Sequence, residues 1–238
     1  MKPNDDHQIS NICLDEVSLI RNNLPVLESI SIQLTEQRIG IIGLNGSGKS
    51  SFVRLINGLL QPNTGSISVN QKNPSVGPQK MSTEVGFIFQ NPDHQIIFPT
   101  VEEELSFGLI NQGIAKKQAL IKARKLLDDH HRLDWAERAI HTLSDGQKQL
   151  ICILAVVIMQ PKVLIFDEPF SALDLVTRYQ LMNLIDQLPQ QVIMISHELE
   201  TLMNFDRVIW LAEGKIFRDG PPSELIPAFI EYAKAFRQ

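Results

Sequence analysis

One eight-residue stretch constrains the fold of this chain more than any other feature. Residues Gly43 to Ser50 have the sequence GLNGSGKS, which fits the pattern G-x-x-x-x-G-K-[ST]. The stretch follows a strand-like run, RIGIIG, and precedes a helix-like run, SSFVRLINGLL. Because such glycines let the backbone N–H groups and a helix N-terminus face one anion, the sequence predicts a phosphate-binding loop between a strand and a helix.

Four short apolar runs predict the strands of a buried parallel sheet, with helices supplying the crossovers. These runs cover residues 38–43, 85–89, 162–167 and 191–196. Two earlier stretches, 9–20 and 26–34, alternate apolar and polar residues and predict an antiparallel hairpin. A second strand pair with a turn at Glu213 and Gly214 is predicted near the end, followed by an amphipathic helix.

Residues 101–160 have a different pattern, in which helix-period segments follow one another without a strand. We therefore expect a helical insertion within an α/β core. The apolar run LICILAVVIM at 150–159 is shorter than the roughly 18 residues that a membrane span needs. Any work at a membrane is expected to go through a partner.

The composition argues against some partners and compartments. A net charge of −5 and a pI near 5.7 give no broad basic surface for nucleic acid. The first ten residues, MKPNDDHQIS, lack the basic and apolar regions of a signal peptide. Cys13 and Cys152 lie in apolar runs and are expected to be buried thiols, which indicates a reducing compartment.

The run KVLIFDEP places two adjacent carboxylates, Asp167 and Glu168, at the end of an apolar strand. Such a pair is costly to bury unless a cation lies nearby. Mg²⁺ bound with ATP would be that cation. Lys49 would reach the β- and γ-phosphates, and the Ser50 hydroxyl would ligate the metal. Asp167 would hold the metal through water or Ser50, and Glu168 would polarise the attacking water.

One histidine follows the next parallel strand. His197 comes directly after residues 191–196. Because parallel strands end at the same sheet edge, we expect its imidazole beside Glu168 and the γ-phosphate. The sequence therefore predicts His197 as a catalytic residue.

The sequence LSDGQKQ at 143–149 is followed by a helix and then by PKVLIFDEP. On this combination the chain resembles the ATPases of ABC transporters over essentially its whole length. The resemblance implies that Gln90 is the Q-loop glutamine, which ligates Mg²⁺ or the attacking water. It also implies that Ser171 to Asp174 form the D-loop and that His197 is the switch histidine.

The resemblance further implies how nucleotide is bound. ATP would be held by the phosphate loop and the residue after it: Gly43, Leu44, Asn45, Gly46, Ser47, Gly48, Lys49, Ser50 and Ser51. Ser144, Gly146 and Gln147 would close on ATP bound by a partner ATPase, which makes two sites across a dimer interface. The dimer is either a homodimer or a heterodimer with a paralogous ATPase.

The fold class implied is a P-loop NTPase (RecA-like) α/β core with an antiparallel β subdomain and an inserted α-helical subdomain, the ABC ATPase fold. We expect one ABC ATP-binding domain over 1–238. Its expected parts are a nucleotide-binding core of about 8–89 and 161–222, a helical subdomain of about 90–160 and a C-terminal helix of about 223–238.

The chain departs from the family pattern at two places. Asp145 stands where the family usually has a glycine, and a carboxylate there would disfavour a phosphate, although an acid is favourable in the first turn of a helix. Where relatives often stack adenine on a tyrosine, this chain has Leu19, Ile20 and Arg21. The guanidinium plane of Arg21 could stack instead.

The segment 89–108 resembles the ATPases of energy-coupling factor (ECF) importers. The matching residues are Gln90, Asn91, Pro92, Asp93, Gln95, Thr100, Val101, Glu104, Phe107 and Gly108. Ile96, Ile97 and Phe98 either pack under the helical lobe or form a groove for a membrane subunit. In the second case, Glu102 to Glu104 would face basic residues of that partner.

The sequences DEPF and RVIWL are similar to the biotin branch of these importers, and cobalt or nickel importers remain open. The resemblance implies a membrane coupling subunit and a substrate-binding membrane subunit as partners, at the cytoplasmic face of the cell membrane. It implies no bound nucleic acid and no transported solute bound by this chain. A soluble non-transport ABC ATPase and a nucleotide-gated scaffold with little hydrolysis are the alternatives.

Overall fold

A computed structural model describes residues 10–171 and 173–235 of the chain. Residues 1–9, which include most of the predicted polar start, Ala172 of the predicted D-loop, and residues 236–238 of the predicted C-terminal helix lie outside this description. The strands are β1 (Ile12–Arg21), β2 (Leu24–Leu34), β3 (Arg38–Ile42), β4 (Thr64–Val69), β5 (Val85–Ile88), β6 (Val163–Asp167), β7 (Gln191–Ile195), β8 (Arg207–Ala212) and β9 (Lys215–Gly220).

The strands form two sheets, one large and mainly parallel and one small and antiparallel. The large sheet has the order β5-β6-β7-β3-β8-β9, in which all neighbours are parallel except β8 and β9. The small sheet has the order β2-β1-β4. Because the carboxyl ends of parallel strands share one edge, the large sheet brings the residues after β3, β6 and β7 together.

The helices cover the large sheet and build a separate lobe. They are α1 (Lys49–Ile56), α2 (Pro78–Met81), α3 (Val101–Asn111), α4 (Lys116–Asp129), α5 (Asp145–Val157), α6 (Leu175–Asp186) and α7 (Pro222–Lys234). Apolar residues of α3, α4 and α5 share one buried cluster, whereas those of α1 pack between the two sheets. The predicted α/β core, antiparallel subdomain and helical insertion are confirmed; the exact subdomain limits stay a prediction.

Two sequence-based expectations differ from the structure. Cys13 is exposed rather than buried, because in β1 its neighbours Ile12 and Leu14 point inward and the alternation of a strand turns Cys13 outward. The prediction of two buried thiols is therefore wrong for Cys13, whereas Cys152 is buried. The strand β4 was not predicted, because only Ile67 and Val69 of its six mainly polar residues are buried.

Within the described residues, no helix has the length and apolar character that crossing a membrane would require. The apolar run 150–159, most of which lies in α5, is instead part of the helical lobe. Ile151 and Leu154 belong to the cluster shared with α3 and α4. Its apolar character is thus explained by packing within the protein.

Candidate functional site

The phosphate loop lies between the end of β3 and the start of α1, as predicted. Gly43, Gly46 and Gly48 have φ angles of +151°, +81° and +100°, in the region that favours glycine. A Cβ atom on Gly43 would lie 2.3 Å from the carbonyl oxygen of Leu211 in the neighbouring strand. The curl of the loop and its close packing against β8 therefore both require glycine.

Lys49 is buried at the first turn of α1 and points back into the loop. Its Nζ atom donates to the carbonyl oxygens of Gly43 at 2.8 Å and Leu44 at 3.1 Å. Burial lowers the pKa of Lys49, an effect opposed by the two carboxylates at the end of β6. The loop thus holds a cation where the sequence predicts phosphates.

Asp167 is buried at the end of β6 and faces α1. Its Oδ1 atom accepts a hydrogen bond from the Ser50 hydroxyl at 3.0 Å, and its Oδ2 atom lies 3.4 Å from a guanidinium nitrogen of Arg54. Burial leaves the pKa of Asp167 raised, although the Ser50 hydrogen bond and the Arg54 charge partly oppose this effect. Sequence reasoning missed Arg54, although its position four residues after Ser50 on a helix places both on one face.

Glu168 contacts two other predicted site residues, Gln90 and His197. Its backbone has a φ of +53°, which is unusual for a side chain of this size, and its N–H donates to the carbonyl of Ile195 at 3.0 Å. Its Oε1 atom lies 3.0 Å from Nε2 of His197, and its Oε2 atom accepts from Nε2 of Gln90 at 3.3 Å. The Gln90 amide also donates to the Ser171 hydroxyl at 3.3 Å.

The sequence LSDGQ forms the N-terminus of α5. Ser144 caps the helix: its hydroxyl accepts from the N–H of Gln147 at 3.4 Å, while the Gln147 side chain accepts from the N–H of Ser144 at 3.1 Å. Asp145 is the first helical residue and is exposed. A Cβ atom on Gly146 would lie 2.4 Å from the Thr177 methyl group, so this glycine also permits the contact with α6.

The structure brings some of the predicted residues together and leaves others apart. The phosphate loop, Asp167, Glu168, Gln90 and His197 meet at one edge of the large sheet. In the part of the chain that is described, no hydrogen bond joins residues 144–147 to residues 43–51. This separation is compatible with the predicted division of each site between two subunits.

The predicted D-loop begins beside the carboxylate edge and ends at a helix. Ser171 contacts Gln90, as described above, and Asp174 is the N-cap of α6. The Asp174 carboxylate accepts from the N–H of Thr177 at 3.0 Å and from its hydroxyl at 2.7 Å. Asp174 therefore has a local structural role that is independent of a partner.

The sequence left open whether the apolar residues after Gln90 pack under the helical lobe or face a partner, and the structure differs from residue to residue. Ile96 packs on the buried cluster of the helical lobe, and the Phe98 ring contacts that of Phe107 at 4.9 Å between centroids. Ile97 is 69% exposed. The backbone N–H groups of Ile97 and Phe98 both donate to the buried Glu104 carboxylate, at 2.9 and 2.8 Å, which holds the loop with Ile97 outward.

The acidic run in α3 does not form the expected partner-facing rim of three residues. Glu104 is buried and bound to its own loop, so the prediction is wrong for this residue. Glu102 accepts from Arg124 at 2.6 Å, and Glu103 accepts from the Thr100 hydroxyl at 2.6 Å. The run therefore stabilises the helical lobe.

The residues expected near adenine lie along β1. Leu19 is 4% exposed, which takes its side chain into the core. Ile20 is 51% exposed, and Arg21 is exposed at the end of the strand. Of the three, Arg21 carries the planar group that can stack on a base.

The donor atoms at this edge fit a nucleotide with Mg²⁺. Ser50 and Asp167 offer a hydroxyl and a carboxylate within hydrogen-bonding distance of one another, and such oxygens are the ligands that Mg²⁺ prefers. Inside the phosphate loop, the Ser47 hydroxyl is buried without a hydrogen-bond partner. The glycine-rich curl and Lys49 supply the N–H groups and the charge that phosphates require.

The sequence is similar to that of known transport proteins. The sequence model of the ABC transporter family matches residues 27–171. The biotin transport ATP-binding protein BioM of Rhodobacter capsulatus is 43% identical over 224 residues, which cover 94% of this chain and 96% of that protein. The energy-coupling factor transporter ATP-binding protein EcfA of Enterococcus faecium is 36% identical over 210 residues, which cover 86% of this chain and 75% of that protein.

The fold is similar to that of CbiO1 from Clostridium perfringens, described as part of the ABC transporter complex CbiONQ. The TM-score is 0.80 at 27% identity, with 94% of this chain and 93% of that chain covered. The predicted ABC ATPase fold and the resemblance to ECF-type ATPases are thereby confirmed. This chain belongs to the ABC transporter family, as one of its ATP-binding, ATP-hydrolysing subunits.

Proposed function

We propose that this chain hydrolyses ATP, with Mg²⁺, to drive an ECF-type importer that takes up biotin. The observation that carries the hydrolytic part is the position of the Glu168 carboxylate between Gln90 and His197, at the sheet edge that bears the phosphate loop. The similarity to the biotin transport protein of Rhodobacter capsulatus supports the solute.

Each side chain at this edge has a proposed role in hydrolysis. Lys49 and the backbone N–H groups of the loop bind the phosphates and hold them in place. Glu168 accepts a proton from the attacking water, and its strained backbone fixes the direction of its carboxylate. Gln90 and His197 contact the two carboxylate oxygens and orient both Glu168 and the water.

Mg²⁺, when bound, neutralises charge on the phosphate oxygens. The residues proposed to hold it are Ser50, Asp167 and Gln90. Ser50 and Asp167 are in contact, whereas Gln90 donates to Glu168. A Gln90 side chain that turns toward the metal would release its contact with Glu168.

The second half of each site is proposed to come from another ATPase subunit. Ser144, Gly146 and Gln147 surround an exposed helix N-terminus that favours an anion. ATP would then act between two subunits and stabilise the closed dimer through contacts that hydrolysis removes. The second subunit is proposed to be either another copy of this chain or a paralogous ATPase.

We further propose that the membrane coupling subunit contacts the chain at Ile97, with a separate membrane subunit binding the solute. An isoleucine that is 69% exposed at the tip of a loop held by the buried Glu104 is a preformed apolar anchor. On this proposal, the chain works as a peripheral subunit at the cytoplasmic face of the membrane.

Uptake of labelled biotin by cells that express the chain with its membrane partners tests the proposed solute. Wild-type complexes should accumulate biotin, whereas complexes carrying Glu168→Gln should not. Uptake of labelled cobalt or nickel in place of biotin would assign a different solute. ATP hydrolysis without uptake of any of these would contradict the importer assignment as stated.

Co-purification of the chain with its membrane coupling subunit tests the docking site. Ile97→Ser should weaken co-purification while leaving ATP binding and thermal stability unchanged. Ile121→Ser is the matched control, because Ile121 is another isoleucine of the helical lobe and is 60% exposed. Equal co-purification of both variants would exclude Ile97 as the anchor.

A further inference from the structure

A seven-residue segment, 89–95, is attached to α5 by contacts along its whole length. At its start, the Gln149 amide donates to the carbonyl of Phe89 at 3.5 Å. At its end, the Gln95 amide donates to the carbonyl of Cys152 at 3.1 Å. Between these contacts, Nζ of Lys148 lies 2.7 Å from Oδ1 of Asp93. Side-chain contacts therefore hold segment 89–95 against the surface of α5.

The attachment points on α5 directly follow the LSDGQ sequence, beginning at Lys148. Lys148 and Cys152 are four residues apart and share a face of α5, and the N–H of Lys148 donates to the carbonyl of Ser144 at 2.8 Å. Because a helix is stiff over a single turn, a displacement of Lys148 also displaces Ser144.

The same segment reaches the carboxylate edge through Gln90. Its amide contacts Glu168 and Ser171, each at 3.3 Å, three residues before Asp93. Pro92 lies between them and restricts the backbone. A change in the position of Gln90 is thus transmitted over a short, stiffened path to α5.

We propose that Asp93 and Lys148 are positioning residues, which hold the N-terminus of α5 in register with Gln90. The proposal rests on the function proposed above for Gln90 and for Ser144. Neither Asp93 nor Lys148 touches the reacting atoms. Their ion pair sets the position of the LSDGQ end of α5 relative to the Gln90 side of the carboxylate edge.

The solvent exposure of Asp93 indicates that the ion pair matters more for the position of α5 than for the stability of the fold. The Lys148 side chain is 15% exposed, but that of Asp93 is 61% exposed, so solvent screens the pair and we expect its contribution to stability to be small. The hydrogen bond to Asp93 raises the pKa of Lys148, so the ammonium group remains charged at neutral pH. Loss of the pair should therefore leave the fold intact and affect the geometry of the assembled site.

Steady-state ATP hydrolysis by the full chain tests the proposal, with Lys148→Met as the main variant. Its kcat should fall about tenfold or more, because small misalignments of catalytic groups have large effects on rate. Binding of a fluorescent ATP analogue to the phosphate loop and the Tm should match those of wild type. Lys148→Arg and the charge swap Asp93→Lys with Lys148→Asp should recover most of the lost kcat.

Two further variants make the outcome decisive. Lys122→Met removes an exposed lysine of α4 and should leave kcat unchanged. Gln90→Ala should lower kcat if the role proposed for Gln90 is correct. A normal kcat in Lys148→Met would overturn the positioning role. So would a fall in the Tm of that variant alongside its fall in kcat, or a charge swap that recovers none of the lost kcat. A normal kcat in Gln90→Ala would instead contradict the proposed function on which it rests.

Discussion

Nε2 of His197 lies 3.0 Å from Oε1 of Glu168, although the two residues follow the ends of different strands of the sheet. The contact exists because β6 and β7 are parallel neighbours whose carboxyl ends coincide at Asp167 and Ile195. An imidazole and a carboxylate at this distance can share or transfer a proton. The sheet order therefore determines the proposed chemistry as directly as the residues do.

Glu168→Gln should lower kcat for ATP hydrolysis by about 100- to 10,000-fold, because an amide cannot accept the proton of the attacking water. ATP binding should persist, and size-exclusion chromatography with ATP should detect an ATP-bound dimer. Glu200→Gln removes an exposed carboxylate near His197 and serves as the control. Turnover that survives in Glu168→Gln would exclude Glu168 as the general base.

Arg54→Met should destabilise the nucleotide-free chain by about 1–3 kcal/mol, because it removes a cation from a buried carboxylate. Mg²⁺ with ATP should then raise the Tm of the variant more than that of wild type, since the metal supplies the missing charge beside Asp167. Thermal unfolding with and without Mg²⁺ and ATP measures both effects. Arg218→Met removes an exposed arginine and is the control, which should behave like wild type. If Arg54→Met also showed the stability and Tm response of wild type, the prediction would be contradicted.

Asp145→Asn should lower the KM for ATP, because it removes a negative charge from a helix N-terminus that is proposed to face a phosphate. The same change should lower stability by about 0.3–1 kcal/mol, since the carboxylate favours that helix end. Kinetics and denaturant unfolding separate the two effects. Asp128→Asn, near the C-terminal end of α4, is the control; an unchanged KM in Asp145→Asn would show that this carboxylate does not restrain the site.

Glu84 predicts a pH dependence of stability. Burial raises its pKa, but hydrogen bonds from Lys72, Asn70 and Lys162 outweigh this effect and leave the pKa lowered. A carboxyl group whose pKa is lower in the folded state stabilises the fold at neutral pH. This contribution is lost as the pH falls through the carboxyl range.

Glu84→Gln should therefore cost about 1–3 kcal/mol at neutral pH, with the difference from wild type shrinking under acid. Urea unfolding at several pH values measures this difference. Glu28→Gln breaks an exposed pair with Lys215, so its loss should be smaller. A difference for Glu84→Gln that stays constant with pH would contradict the interpretation.

The sequence predicted those features that depend on local spacing. The phosphate loop, the parallel strands and the residues at the strand ends follow from apolar runs and from motifs within a few positions. His197 could be placed beside Glu168 because parallel strands end at one edge. These predictions needed no knowledge of which side chains meet across the core.

Features that depend on contacts between distant segments were missed. The sequence of β4 is too polar to be recognised as a strand, and it forms because β1 offers a partner edge. Glu104 lies in an acidic run that is typical of an exposed helix. Its carboxylate is nevertheless buried, because it accepts hydrogen bonds from the backbone of the loop that precedes the helix. Cys13 shows that an apolar neighbourhood in sequence does not determine which face of a strand a residue occupies.

The reciprocal cap at the start of α5 has a consequence for how a phosphate is released. The N–H groups of Ser144 and Gln147 are already bound by each other's side chains. A phosphate that bound these two N–H groups, as proposed for the ATP of a second subunit, would have to displace the two bonds, so it would gain less than it would at an uncapped helix end. Once such a phosphate left, the two side chains could restore the cap, so opening of the proposed interface would leave neither N–H group without a partner.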